Sequence, residues 1–430
     1  MRRLHFYAGL LVAPFLLVAA VTGFLYAASF QIEKIVYRHE LTTAAGQTRL
    51  PLSQQIAAAR AAQPQGKVSA VRPAVEADQT TQVLLDVPGL AESTKLAVFV
   101  DPYTARIRGE LESYGGSGAL PVRAWISGLH RSLHLGEPGR VYSELAASWL
   151  WVVALGGLLL WIARRRRRRR RLILPERGAT GLRRTLSWHG SVGVWVALGL
   201  LFLSATGLTW SKYAGANLGE LRAAWGWETP AISASPADHA AHTAGGHQHG
   251  AASAISADQV VQAAASKNLS GPLEIVWPAE AGGPYVVKEI DGHWPVRLDQ
   301  VAVDSTTGQV IAELPFAGYP PAAKLTRWGI DAHMGVLFGL ANQLVLMAVA
   351  AGLVTLIVLG YRMWWRRRPA ATPARGAWRQ AHWTVPASAA LLTVAVGVLL
   401  PLMGISLAAF LVVDVLRGRL ARARHGGGHP

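Results

Sequence analysis

The chain has 430 residues, 51% of them hydrophobic and only 16% charged, a balance more apolar than that of an average water-soluble domain. Its formal charge of +17 is concentrated in arginine clusters just after apolar runs, at Arg164 to Arg171, Arg366 to Arg368 and Arg417 to Arg424; this is the pattern of membrane topology signals and argues against a nucleic-acid partner. There is no cysteine, which excludes iron–sulfur clusters, thiolate zinc sites, thioether-linked haem and disulfides, so any redox chemistry must use a cofactor held without covalent attachment.

In chain order, an apolar run near 6–29 makes residues 1–30 the first transmembrane helix. About 20 residues at 1.5 Å each cross a hydrocarbon core of about 30 Å. Ala27-Ala28-Ser29 could end a signal peptide, but the apolar core is unusually long and has an internal counterpart, so an uncleaved anchor is expected. Residues 31–140 form an outer segment with a helix over 52–63, β-rich runs at 67–73, 80–87 and 95–101, and a turn at Asp101-Pro102-Tyr103-Thr104. A second span, 141–163, is followed by an arginine-rich loop, 164–186, and a third span, 187–212.

The second outer segment, 213–332, opens with an Ala/Gly/His-rich tract at 231–254 that has no apolar periodicity and reads as a disordered insertion. It continues with a helix over 256–267, strands near 273–277, 284–290 and 296–303, and a turn at Asp304-Ser305-Thr306-Thr307-Gly308. The fourth span is 333–365, followed by a loop, 366–383. As one helix the apolar stretch 384–416 would be about 50 Å long, whereas a break at Pro401 makes it a hydrophobic hairpin that returns the basic tail, 417–430, to the side of the other arginines. Placing every arginine cluster in the cytoplasm puts the N-terminus inside and residues 31–140 and 213–330 outside.

Two stretches repeat at an offset of 203 residues: Trp125-Ile-Ser-Gly-Leu-His130 lies over Trp328-Gly-Ile-Asp-Ala-His333, and Gly136/Gly339, Gly157/Gly360, Trp161/Trp364 and Asp101/Asp304 keep the register. A second pair matches at 184, through His5/His189, Gly9/Gly193, Thr22/Thr206 and Gly23/Gly207. The expected fold is therefore a mainly α membrane protein with a duplicated four-helix core, a C-terminal hairpin and two small α+β outer domains. Both halves cross in the same direction, which implies a pseudo-twofold axis along the membrane normal. Such an axis sets His5 against His189 near one surface and His130 against His333 near the other.

Ionisable residues at the ends of spans are functional candidates, and two imidazoles opposed across a helical bundle suit a six-coordinate b-type haem. Gly9, Gly193, Gly136 and Gly339 clear space either for a macrocycle or for close helix packing. His134 lies one helical turn from His130, as a second candidate ligand or propionate partner, and His382 is an outside candidate for the inner site. Trp125, Trp328, Trp161 and Trp364 suit an interfacial belt or packing against a cofactor. Arg123, Arg131, Lys324 and Arg327 could pair haem propionates, attract an anionic substrate or simply be solvated. His239, His242, His247 and His249 in the inserted tract form at most a weak loop site for copper, zinc or nickel.

The stretches Leu129-His130-Arg131-Ser132-Leu133-His134-Leu135-Gly136-Glu137, Glu144-Leu145-Ala146-Ala147-Ser148, Asp331-Ala332-His333-Met334-Gly335, Asn342-Gln343 and Trp364-Trp365-Arg366-Arg367-Arg368-Pro369 resemble the PepSY-associated transmembrane proteins over residues 1–369. The Asp101 and Asp304 turns resemble the closing turn of PepSY domains, although Ala105 stands where a turn glycine is usual. The resemblance implies PepSY-like periplasmic domains and a bacterial inner-membrane ferric-siderophore reductase. It also implies two b haems held by His5, His189, His130 and His333, with a role in iron uptake. With no flavin- or nicotinamide-binding domain in the chain, electrons would come from quinol or a separate reductase. The histidine-rich tract departs from the family pattern and leaves another metal complex open as acceptor. Two rival readings stand beside this one: a non-enzymatic membrane module that binds a periplasmic protein, and a metal or siderophore permease, for which the apolar cores of the spans offer few polar residues.

Overall fold

The computed structural model describes residues 2–165, 170–232, 255–280, 282–367 and 384–426. In the first half the helices are α1 (Arg2–Leu11), α2 (Ala13–Val36), α3 (Arg38–Leu41), α4 (Leu52–Ala62), α5 (Pro121–Ser132), α6 (Glu137–Arg165) and α7 (Arg170–Ile173). They are followed by α8 (Gly181–Leu208), α9 (Tyr213–Ala224), α10 (Ala257–Ala265), α11 (Pro321–Met334), α12 (Gly339–Arg366), α13 (Thr384–Leu399) and α14 (Pro401–Gly426). Among the described residues four of these, α2, α6, α8 and α12, are long and apolar enough to cross a membrane. The chain divides into two compact units, one drawn from Met1–Leu25, Gly128–Gly226 and Leu344–Pro430, the other from Tyr26–Ser127 and Trp227–Gln343.

The first unit is helical. Its first apolar run is broken between α1 and α2, because Pro14 has no N–H to offer the Leu10 carbonyl, and the Tyr361 hydroxyl donates to that carbonyl instead at 2.9 Å. The most extensive helix pairing is α6 with α8, whereas α8 and α12 approach only locally, through glycines that face valines. A Cβ added at Gly199 would stand 2.7 Å from Val349 Cγ2, and one at Gly352 would stand 2.5 Å from Val196 Cγ1. The buried Glu144 carboxylate accepts from Tyr213 N at 2.8 Å and Ala214 N at 3.0 Å, which satisfies orphan amides at the start of α9. The apolar C-terminal stretch breaks at Leu400, with Pro401 opening α14, and Gly397 and Gly404 abut so closely that a side chain on either would meet the other's backbone. Asn217 Nδ2 donates to the Val398 carbonyl at 3.0 Å, covering a carbonyl that α13 leaves unbonded.

The second unit is built on an antiparallel sheet. Its strands are β1 (Lys67–Arg72), β2 (Thr81–Asp86), β3 (Thr94–Val100), β4 (Ile107–Tyr114), β5 (Leu273–Val276), β6 (Tyr285–Glu289), β7 (Gln300–Val303) and β8 (Val310–Leu314). Their order, β4-β3-β2-β1-β5-β6-β7-β8, makes one eight-stranded sheet to which residues 31–140 and 213–332 each supply four strands. The seam pairs Ala70 with Val276 and Val71 with Ile275, so each half covers an edge that the other would leave open. On one face Val71, Val83, Leu85, Val98 and Val100 share a core with Ile275, Val287, Val301 and Val303, roofed by Ile56 and Ala59 of α4 and by Val260 and Ala264 of α10. The Asp258 carboxylate reaches across to cap α4, accepting from Leu52 N at 2.6 Å. Strands β4 and β8 lie beyond the runs marked in the sequence; both alternate, but Ser113 is the one buried residue in β4 and β8 has none.

Each outer hairpin closes the same way. Asp101 Oδ1 accepts from Tyr103 N at 2.8 Å and Thr104 N at 3.2 Å, and Asp304 Oδ1 accepts from Thr306 N at 2.9 Å and Thr307 N at 2.7 Å. Burial works to raise both carboxyls, but the hydrogen bonds outweigh it: Asp101 is lowered and Asp304 sits at about 2. The turn ends in the left-handed region, at Ala105 with φ 58° and at Gly308 with φ 72°.

Candidate functional site

His5 lies on α1, ahead of the first long span, and His189 lies within α8. Nδ1 of His5 donates to the Val153 carbonyl at 3.0 Å, and Nδ1 of His189 donates to the Leu356 carbonyl at 3.1 Å. A carbonyl can only accept, so each ring carries its proton on Nδ1 and keeps a lone pair on Nε2. Val153 and Leu356 are separated by 203 residues, as are Gly157 and Gly360. The rings lie against those two glycines: a Cβ at Gly157 would stand 2.8 Å from His5 Cε1, and one at Gly360 would stand 3.9 Å from His189 Cε1.

The flanks of this pair are open. A Cβ at Gly9, one turn beyond His5, would meet no atom within 4 Å, and at Gly193, one turn beyond His189, only Leu356 Cδ2 comes as near as 3.7 Å. Ser191 Oγ is buried and has no hydrogen-bond partner among the described residues. Trp161, buried on α6, covers the backbone of Gly190, next to His189; its Nε1 donates to the Leu172 carbonyl at 2.9 Å. Chemically the arrangement offers two neutral nitrogen donors whose orientation is set by the protein backbone.

His130 and His333 sit on short helices instead of the spans. His130 is on α5, in the first unit, and its Nδ1 is 2.9 Å from Thr22 Oγ1, while that hydroxyl donates to the Val18 carbonyl at 2.8 Å. The hydroxyl proton being committed, His130 supplies the other, and its Nε2 also keeps a lone pair. Gly23 seats the ring, with a hypothetical Cβ 3.2 Å from His130 Cε1. Thr22 was visible only as a repeated residue with no role; it is the anchor of His130.

His134 does not lie one helical turn from His130 on a shared face. Helix α5 ends at Ser132, Leu133 and His134 turn left-handed at φ 52° and 56°, and the exposed His134 ring folds back over Gly128. His333, in the second unit, is half-buried near the end of α11, which Gly335 closes at φ 84° before the span α12 begins at Gly339. Asn342 Nδ2 donates to the Ala332 carbonyl at 2.9 Å and Gln343 Nε2 to the Gly335 carbonyl at 3.2 Å, so these two motif residues cap the helix that carries His333.

Gly136 and Gly339 are turn residues, at φ 62° and 55°, where helical packing or a macrocycle had been expected to require them. Most of the flanking cations are engaged within the protein. Arg123 is buried, its Nε bonded to Glu33 Oε2 at 3.0 Å and its guanidinium 4.8 Å from the Phe30 ring centre, so it is not offered to a propionate or substrate. Lys324 Nζ donates to the Ala317 carbonyl at 2.6 Å, and Arg327 Nε to Asp331 Oδ2 at 2.8 Å. Burial pushes the Asp331 carboxyl up, against the pull of Arg327. Trp328 packs with Phe316, ring centres 6.4 Å apart, whereas Trp125 is largely exposed. His239, His242, His247, His249 and His382 lie outside the described residues, and among the described residues no three His, Asp or Glu side chains gather as a bare metal ion would require.

Four long apolar helices, with a histidine pair matched by the internal repeat, define a multi-span membrane protein. The family described as the PepSY-associated TM region matches residues 2–367, and the chain belongs to that family. No curated protein matches the chain.

Proposed function

We propose that this protein is a di-haem b electron-transfer protein of the bacterial inner membrane. In this reading it is a duplicated molecule with its N-terminus in the cytoplasm, and it reduces a ferric siderophore, or another metal complex, at the outer face for iron uptake. The observation that carries the reading is the matched anchoring of His5 and His189 by backbone carbonyls, with Nε2 left unprotonated on both. The residues fit the group: two imidazoles anchored alike through Nδ1, glycine at both rings, and open space where a Cβ at Gly9 would stand. When bound, haem would supply the one-electron carrier that the twenty amino acids lack here, with cysteine absent.

The chain's own part is positional. Val153 and Leu356 hold the ring planes and raise the donor strength of the free nitrogens, and the apolar spans keep water away. His130, braced by Thr22, is proposed as a ligand of a second haem, with His134 as the alternative to it. Electrons would come from quinol or a separate reductase. Reducing Fe(III) to Fe(II) lowers the charge seen by hard oxygen ligands and loosens the chelate. The sheet unit would serve as a pair of PepSY-like periplasmic modules.

The test is spectroscopic. Protein expressed with ample haem is expected to show a low-spin b-type spectrum and two haems per chain, with one haem lost in His5→Ala and in His189→Ala. A colourless preparation removes the cofactor. A haem-loaded protein that ferric siderophores fail to reoxidise in stopped flow removes the acceptor and leaves the electron-transfer role standing.

A further inference from the structure

A groove with a cavity volume of about 540 Å³ lies between α8 and α12, within the helical unit, and its lining includes Arg184, Trp188, Thr355, Leu359, Arg362 and Arg366. Thr355, Leu359, Arg362 and Arg366 recur at helical spacing along one face of α12, and Arg184 and Trp188 are one turn apart on α8. The lining holds three guanidiniums and no carboxylate, and none of the three has an ion pair or hydrogen bond with a described residue. From Arg366 to Thr355 the groove follows α12 for about 16 Å at 1.5 Å per residue, from its charged end into the apolar span. Both helices are candidate membrane spans, so the groove's apolar length meets acyl chains and its arginine end meets headgroups.

We propose that this groove binds an anionic phospholipid, its phosphate held by Arg184, Arg362 and Arg366 and an acyl chain lying along Trp188, Leu359 and Thr355. A free phosphate would leave the apolar length unused. A quinol would leave three cations unanswered, since its head group is uncharged. The lipid would lie beside the inner histidine, because Trp188 precedes His189 and Leu359 precedes Gly360, the glycine against the His189 ring. The site stands on its own lining residues and does not depend on the haem proposal.

The experiment is lipid retention by native mass spectrometry of the full chain released from nanodiscs of equimolar phosphatidylglycerol and phosphatidylcholine. Phosphatidylglycerol is expected to be retained about tenfold over phosphatidylcholine. The triple change Arg184→Gln, Arg362→Gln and Arg366→Gln is expected to abolish that preference, and the same three positions changed to Lys to keep most of it. Equal retention of the two lipids by the unmodified protein overturns the proposal, as does displacement of the lipid by excess inorganic phosphate or by a neutral quinone. The lipid comparison on the unmodified chain decides the matter even where the triple variant does not fold.

Discussion

At the scale of single residues, proton placement and backbone conformation carry most of the information. In all three anchored histidines Nδ1 faces an oxygen that must accept its proton, which leaves Nε2 as the donor atom. The two Asp-turns show how one local motif tolerates different residues at its strained position. Ala105, with φ 58°, occupies backbone space that costs an L residue about 1–2 kcal/mol, whereas Gly308 meets the same geometry without a Cβ. Glycine loses about 0.5–1 kcal/mol more conformational freedom on folding, so Ala105→Gly is expected to stabilise the sheet unit by about 0.5–1 kcal/mol net. Thermal unfolding monitored by hydrogen exchange at β3 and β4 checks it; a destabilised variant would mean the turn holds the alanine for another reason.

Among the elements, the relation of glycine to histidine sets the helix spacing. A Cβ at Gly157 would press on His5 Cε1 at 2.8 Å, closer than real contacts allow, whereas at Gly360 the same addition reaches His189 Cε1 only at 3.9 Å. Gly157→Ala is therefore expected to displace the His5 ring from the Val153 carbonyl and to shift or bleach the low-spin spectrum that the haem proposal predicts, and Gly360→Ala to leave it unchanged. Equal spectra for both variants would show that His5 is not a ligand. Element boundaries place His5, His130 and His333 on short helices and His189 within a long one. Pro14 separates α1 from α2, and left-handed turns at His134, Gly136 and Gly335 separate α5 and α11 from the helices that follow.

For the sheet unit as a whole, the seam between β1 and β5 joins two chain segments into one cooperative core. Ile275, fully buried at that seam, packs with apolar residues contributed by both segments. Ile275→Ala is expected to cost about 2–5 kcal/mol, the usual range for a truncated buried isoleucine. Because the core is shared, hydrogen-exchange protection should fall together in β2–β3 and in β6–β7. Loss confined to β6–β7 would mean that the two halves fold independently and merely touch.

Much of this molecule is written in short-range pattern. Spans, arginine clusters and the family motifs depend on runs of apolar residues and on local spacing, so membrane character and family membership were readable without coordinates. The break at Pro14 is equally local, since a missing N–H is a property of one residue, although the apolar run continues through it and masks it. Partners distant in the chain were decided by tertiary structure alone. Nothing near Arg123 in sequence announces that Glu33 and Phe30 will consume its charge, nor that Val153 and Leu356 will hold the two imidazoles. The pairing of β1 with β5 likewise depends on two edges more than 200 residues apart meeting in space, a long-range closure that no window of sequence contains.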